Sequence, residues 1–459
     1  MERTTGRRIG HGGTPRFGQG GSRRTDHGGR RRFGQAGERG IRQGGHILDR
    51  WQLARALLVP LAVVLAGCRP DDSAADPPPD PRDSAGIRIV ENERPSDNSR
   101  IPWRIGPEPH VSIGDVTGED PYLLDDVNDA TVLSDGRIVI ANTGTSELRV
   151  FDSGGVHLAN WGGKGEGPGE FTSLRAVGRW RGDSVVAWNS STWVVSVFGA
   201  DGVSGRSFVL DSEAGALEPR AILSDGSILG RTGEVTGEGY RRSRETYQLH
   251  HSESAPPVEF GTHPGRESYL AFLNGMPVLG YLPFGRSLWE AEWGELVILT
   301  PDDEYEISAY DRTTGALARI VRRQYGNRAP TREEVDEALE DALARAGLSG
   351  QRLEFARQGY GSMPVVEQFP AFRMLLTDPL DHLWVREATL PGMDRPAPLW
   401  TVFDPDGRAL GFIETPDGLT VFEVGADYLL GRATDEMGVE SVQVWGLERS
   451  SGLPVRHTR

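Results

Sequence analysis

Between Asp126 and Phe171 the chain spells short runs of alternating apolar and polar residues, each closed by a turn built from Asp, Gly or Ser. That alternation has a period of two, which an extended strand with one buried face satisfies. Four strands fit the stretch: Asp129 to Leu133, Arg137 to Ala141, Leu148 to Phe151 and Val156 to Trp161. The turns Ser134-Asp135-Gly136 and Asp152 to Gly155 supply residues for which positive φ costs little, so each strand folds back on the one before. A lone four-stranded meander cannot bury both faces and needs neighbours of its own kind.

Such neighbours follow. The turn ahead of the second strand recurs before Val185 to Trp188, Ile228 to Gly230, Leu296 to Leu299, His382 to Val385 and Tyr428 to Gly431, with a further apolar strand after each. Six repeats spaced roughly 40 to 80 residues apart, in a chain with 60 Gly and 30 Pro, predict an all-β fold. The expected architecture is a six-bladed β-propeller of four-stranded antiparallel blades over residues 86–459. The sixth blade runs out one strand short, and its fourth strand is expected from His110 to Val116 or from Ile87 to Glu91. One segment breaks the pattern. Thr331 followed by Glu334 is a capping box, and Val335, Leu339, Ala342 and Leu343 share a helical face, so a helical hairpin is predicted as an insertion over 330–360.

Ahead of the repeats, residues 1–50 are a Gly/Arg/Gln-rich basic segment without apolar period, read as a disordered leader or a mis-assigned start. Arg55 then precedes an apolar run ending in Leu65-Ala66-Gly67-Cys68, too short to span a bilayer. This LAGC resembles a bacterial lipobox, which implies a signal segment over 51–68 and lipid on Cys68. Residues 69–85 are rich in Pro and Asp and read as a stiff, solvated tether. Cys68 is the single cysteine, so disulfides and Cys-based metal sites are excluded. The first 68 residues hold 13 Arg against 4 acidic residues, leaving 37 basic against 62 acidic in the rest. A body this acidic argues against nucleic acid as partner.

Asp135 to Asn142, Leu148 to Asp152 and the loop Gly163 to Phe171 (GKGEGPGEF) together resemble NHL-type repeats, and the loop is similar to that of six-bladed propeller lipoproteins of bacteria. The resemblance implies a propeller at the cell envelope, on the periplasmic or extracellular side. It implies no single activity, since such propellers serve as binding platforms and also as metal-dependent lyases or lactonases.

Motifs add little chemistry. Gly162 to Gly169 lacks the spacing of a phosphate loop, the histidines are scattered, and no GxSxG occurs. Loop lengths say more: the long segments Thr232 to Glu245, Gly261 to Arg286, Asn327 to Gln368 and Ala388 to Pro398 all fall in connections expected on one face. Arg231, Arg386 and Arg432 align at the end of the second strand and form a candidate clamp for a carboxylate or phosphate, unless each pairs with a nearby acid such as Glu387 or Asp435. Asn128, Asp129, Asn142 and Asn189 are second candidates, as oxygen ligands for calcium near the axis. The reading is a non-catalytic, lipid-anchored binding module without a required cofactor, whose ligand is an envelope protein, a peptide or a glycan. The alternative is a metal-dependent hydrolase or lyase of the lactonase kind in the axial channel.

Overall fold

The computed structural model describes residues 81–449 apart from 214, 235–236, 252–254, 274–275, 347–348, 362 and 394–396. The leader at 1–50, the signal segment 51–68 with Cys68, and the tether up to residue 80 lie outside the described residues. Strand structure starts ahead of the expected boundary at Gly86, because β1 (Arg82–Ser84) pairs with β2 (Ile87–Asn92) through a turn at Ala85 and Gly86. β3 (Trp103–Ile113) completes the leading segment.

The remaining strands come as consecutive antiparallel meanders, numbered here as units. Unit 1 is β4 (Val127–Val132), β5 (Ile138–Asn142), β6 (Glu147–Phe151) and β7 (His157–Gly162); unit 2 is β8 (Leu174–Arg179), β9 (Val185–Asn189), β10 (Val194–Phe198) and β11 (Ser204–Ser212). Unit 3 is β12 (Gly215–Ile222), β13 (Ile228–Glu234), β14 (Gly239–His250) and β15 (Val258–Leu273), prolonged by β16 (Met276–Tyr281). Unit 4 is β17 (Leu288–Trp293), β18 (Leu296–Pro301), β19 (Glu306–Asp311) and β20 (Leu317–Arg323), followed by the helices α1 (Arg332–Arg345) and α2 (Gly350–Tyr360). Unit 5 is β21 (Phe372–Thr377), β22 (Leu383–Glu387), β23 (Leu399–Phe403) and β24 (Ala409–Glu414); unit 6 is β25 (Leu419–Val424), β26 (Tyr428–Thr434) and β27 (Glu440–Arg449). Hydrogen bonding gathers them into five curled sheets, because β11 pairs with β12 and makes units 2 and 3 one nine-stranded sheet.

Apolar cores lie between units, each filled from the facing sides of two of them. Val139 meets Val177 between units 1 and 2, Trp188 meets Ile228 between 2 and 3, and Tyr247 meets Val297 between 3 and 4. Ile298 and Phe372 share the core between 4 and 5, Trp384 and Leu429 that between 5 and 6, and Leu430 and Ile138 that between 6 and 1. The last core joins the final unit to the first.

The leading segment spans three units. β2 pairs in parallel with β20 at the edge of unit 4, the Ile101 amide donates to the Phe412 carbonyl of unit 5 at 3.0 Å, and β3 pairs antiparallel with β27 of unit 6. The missing strand is therefore β3; Ile87 to Glu91, the other candidate, belongs to unit 4. Edges that would recruit foreign strands are covered by this strap. In α1 the expected capping box is present, with Thr331 accepting from the Glu334 amide. Tyr360 at the end of α2 and Met363 beyond it pack with Leu282 and Tyr269, which fastens the hairpin to the extended end of unit 3.

Candidate functional site

The first strands of the units lie against one another in the order β4, β8, β12, β17, β21, β25 and back to β4. Five of these six carry a one-residue register shift against the second strand. A bulge leaves one residue outside the ladder and re-aims its side chain. The residues so released are Asn128, Arg175, Arg220, Arg373 and Phe422. Only β17 runs without a shift, and its Glu290 takes the guanidinium of Arg220.

The bulges also correct the alignment of Arg231, Arg386 and Arg432. Opposite each bulge, the residue equivalent to Asn142 is Asn189, Gly230, Glu387 and Gly431. Arg231 and Arg432 come one position after it and Arg386 one position before, so the three share a side of the strand but not a level. They are not brought together. Arg231 lies between Glu218 and Glu245, the latter at 2.9 Å. Arg432 donates to the Val127 carbonyl at 2.6 Å and pairs with Glu440 at 3.0 Å; Glu440 in turn accepts from the Val127 amide, so this pair clasps unit 6 to unit 1. Arg386 has no side-chain hydrogen bond or ion pair among the described residues, and its neighbour Glu387 is taken by Arg323.

A second arginine lies near Arg386. Arg373 is the bulge residue beside Met374, which sits opposite Arg386, and it too lacks a hydrogen-bonded or ion-paired partner among the described residues. Burial pulls both guanidiniums below the ordinary arginine range; in Arg373 the Asp302 charge opposes this while Arg266 and Arg386 add to it. Arg266 stacks on Tyr281 with its guanidinium carbon 3.5 Å from the ring centre. Arg373 thus feels two further cations and, among the described residues, no carboxylate that hydrogen-bonds to it, an arrangement suited to an incoming anion. Arg175 on β8 is exposed and likewise has no side-chain hydrogen bond or ion pair among the described residues.

Between units 6 and 1 lie two carboxylates, Asp129 and Glu423, the latter 3.9 Å from Arg179. Desolvation pushes the Asp129 carboxyl up to about 7, against hydrogen bonds from the Val177 and Ala130 amides, and the Glu423 charge adds to the rise. Glu423 accepts from Thr131 at 2.7 Å and from Tyr428. Two of the four calcium candidates, Asn142 and Asn189, already hold backbone amides. Asn142 Oδ1 accepts from the Asp125 amide and Asn189 Oδ1 from the Thr172 and Ser173 amides, which ties down the loop ahead of each first strand. Asn128 donates to Thr143 at 2.9 Å. Among the described residues no three His, Cys, Asp or Glu side chains converge as metal ligands do.

Two features escaped sequence reasoning. Asp302 does in unit 4 what Asn142 and Asn189 do in units 1 and 2, accepting from the Ser287 amide at 2.7 Å. The arginine bulges had a signal: Leu174-Arg175-Ala176, Pro219-Arg220-Ala221 and Phe372-Arg373-Met374 repeat a cation between two apolar residues in the first strand of a unit. Clefts of about 380 Å3 beside Tyr305 and Tyr325 and about 450 Å3 beside Thr246 and Gln248 lie apart from these arginines.

No family model matches the chain, and no curated protein matches it. Among solved structures it is similar to a protein of Bacteroides fragilis described as exported (13% identity, 78% of this chain and 99% of that one, TM-score 0.44). It is also similar to virginiamycin B lyase of Staphylococcus aureus (9%, 75% and 99%, 0.35) and to a gluconolactonase of Xanthomonas campestris (12%, 70% and 88%, 0.35).

Proposed function

We propose that the chain is a six-bladed, NHL-type β-propeller lipoprotein of the bacterial envelope whose body acts as a non-catalytic binding module for an acidic ligand. The six units with a core at each junction, the last shared with the first, support a closed ring, and the lipobox-like LAGC supports an anchor at Cys68. The ligand side of the ring is the group Arg373, Arg386 and Arg266. One observation carries this reading: Arg373, in the bulge, and Arg386, opposite its neighbour Met374, have no carboxylate bound among the described residues, in a chain of net charge −16. Acids are plentiful enough to neutralise every arginine, and the cost of leaving half-buried cations unpaired is otherwise unexplained.

An acidic group on a peptide, a glycan or a partner protein would complete the site with forked hydrogen bonds. The lactonase-like alternative gains no support from Asn142 and Asn189, whose oxygens hold their loops, and among the described residues no cluster of His, Cys, Asp or Glu adds a donor set. The test is a thermal-shift titration with citrate and inorganic phosphate. Citrate is expected to raise the melting temperature of the wild-type body and to leave Arg373→Met/Arg386→Met unmoved. Equal shifts in both proteins, or none in the wild type, would refute the site. Cys68→Ser is expected to release the protein from the membrane fraction.

A further inference from the structure

The arginine group has an apolar wall standing over it. β15 and β16 pair residue for residue, with Ser268 opposite Tyr281, Tyr269 opposite Gly280 and Leu270 opposite Leu279. Cross-strand partners point to the same side of a sheet, and alternate residues to opposite sides. One side is covered: a Cβ on Gly280 would run into Met363 and Tyr360, and Tyr269 packs with the same residues. The other side therefore carries Leu270, Phe272, Leu279 and Tyr281, and the last three are 49%, 50% and 56% exposed. Scattered exposed apolar residues are ordinary, but three on one side of paired strands form a patch. Arg266, in the middle of β15 where its register against β14 shifts, stacks under Tyr281. The apolar side and the arginine group are thus continuous. This part of β15 is rigid, because Arg286 is paired with Glu267 and Asp303 holds Arg242.

We propose that the ligand is an amphipathic anion, a carboxylate carried on a single alkyl chain, with its head group on Arg266, Arg373 and Arg386 and its chain along Leu270, Phe272, Leu279 and Tyr281. This rests on the anion-binding reading above and narrows it. A hydrophilic anion would satisfy the arginines and leave the apolar side wet; an apolar ligand without charge would leave the arginines unpaired. Only a molecule with both ends uses both halves of the surface.

Chain length is the discriminating variable. Burial of one methylene is worth about fourfold in affinity. In calorimetric titration of the body with butyrate, octanoate and dodecanoate below their micellar concentrations, affinity is expected to climb steeply with length. Phe272→Ser/Leu279→Ser should keep butyrate and citrate binding and lose the climb, while Arg373→Met/Arg386→Met should lose binding of every member. Dodecanol, with the chain but no charge, should bind at least tenfold more weakly than dodecanoate. If citrate and butyrate bind and affinity does not change with length, the amphipathic ligand is refuted while the anion site stands. If no anion binds, both fall. Binding to phosphatidylglycerol vesicles without binding of monomeric dodecanoate would overturn the single-chain ligand in favour of a bilayer surface.

Discussion

Arg323 and Glu387 face each other at 2.8 and 2.9 Å between units 4 and 5, with Thr401 and Tyr305 completing the carboxylate's hydrogen bonds. Both side chains are nearly out of water, so breaking the pair strands a charge where replacing the pair would not. Glu387→Gln should cost about 3 to 5 kcal/mol in urea denaturation. Arg323→Met/Glu387→Leu should recover most of that loss, and a double variant no better than the single one would count against the pair. Asp129 makes a prediction of opposite sign to most carboxylates. Its folded pKa of about 7 lies above the ordinary 3.8, so the folded state holds this proton more tightly, and its contribution to stability falls as pH rises from about 4 to about 7. Asp378 behaves conversely: burial opposes it, but hydrogen bonds from His382, Trp384 and Arg449 hold it at about 2, and its contribution fades as pH drops from about 4. Asp129→Asn keeps an acceptor for the Val177 amide and removes the titration. Its melting temperature should gain on the wild type steadily between pH 4 and 7; a gap independent of pH would show that Asp129 titrates normally.

At the scale of elements, Val90 is the point where the strap enters the core. It is 1% exposed, packed with Trp293 and Val321, and parallel pairing fixes it against β20. Val90→Ala should cost about 2 kcal/mol by urea denaturation, an amount expected of a core strand and not of a linker. That β2 belongs here was not legible. The repeats were, because alternation and Asp-Gly turns are local signals that the hydrogen-bonding pattern merely completes, and the capping box of α1 was legible for the same reason. Which unit a leading strand joins depends on edges made by residues far along the chain, and no local pattern encodes that. The arginines show a finer limit. Counting from the turn placed Arg231, Arg386 and Arg432 at one level, but the bulge in the facing first strand lies two residues nearer the turn in units 3 and 6 than in unit 5, so equal counts end at different levels. Arg175 and Arg373 sit within strands that read as core, where a lone cation looks like noise until the register releases it.

For the molecule as a whole, the decisive feature is that no unit keeps its core to itself. Each unit contributes to two cores, so removing one unit opens both of its neighbours. Unfolding in urea should therefore be a single transition, superimposable by tryptophan fluorescence and far-ultraviolet circular dichroism. A separate early phase in fluorescence, with the dichroism intact, would mean that some units melt alone. The Arg432 to Glu440 clasp on Val127 lies at the one junction where chain order does not help, between the final unit and the first.

The strap sets a timetable as well as an edge. Val90 has no place until Val321 has been made, and Ile113 none until Val442 has. A chain delivered from its amino end, by a ribosome or through a membrane pore, presents these strands first and seats them last. Pairings this distant in sequence are slow to find, and until they form the edges of units 4 and 6 stay open. Assembly of this protein waits on its final strand.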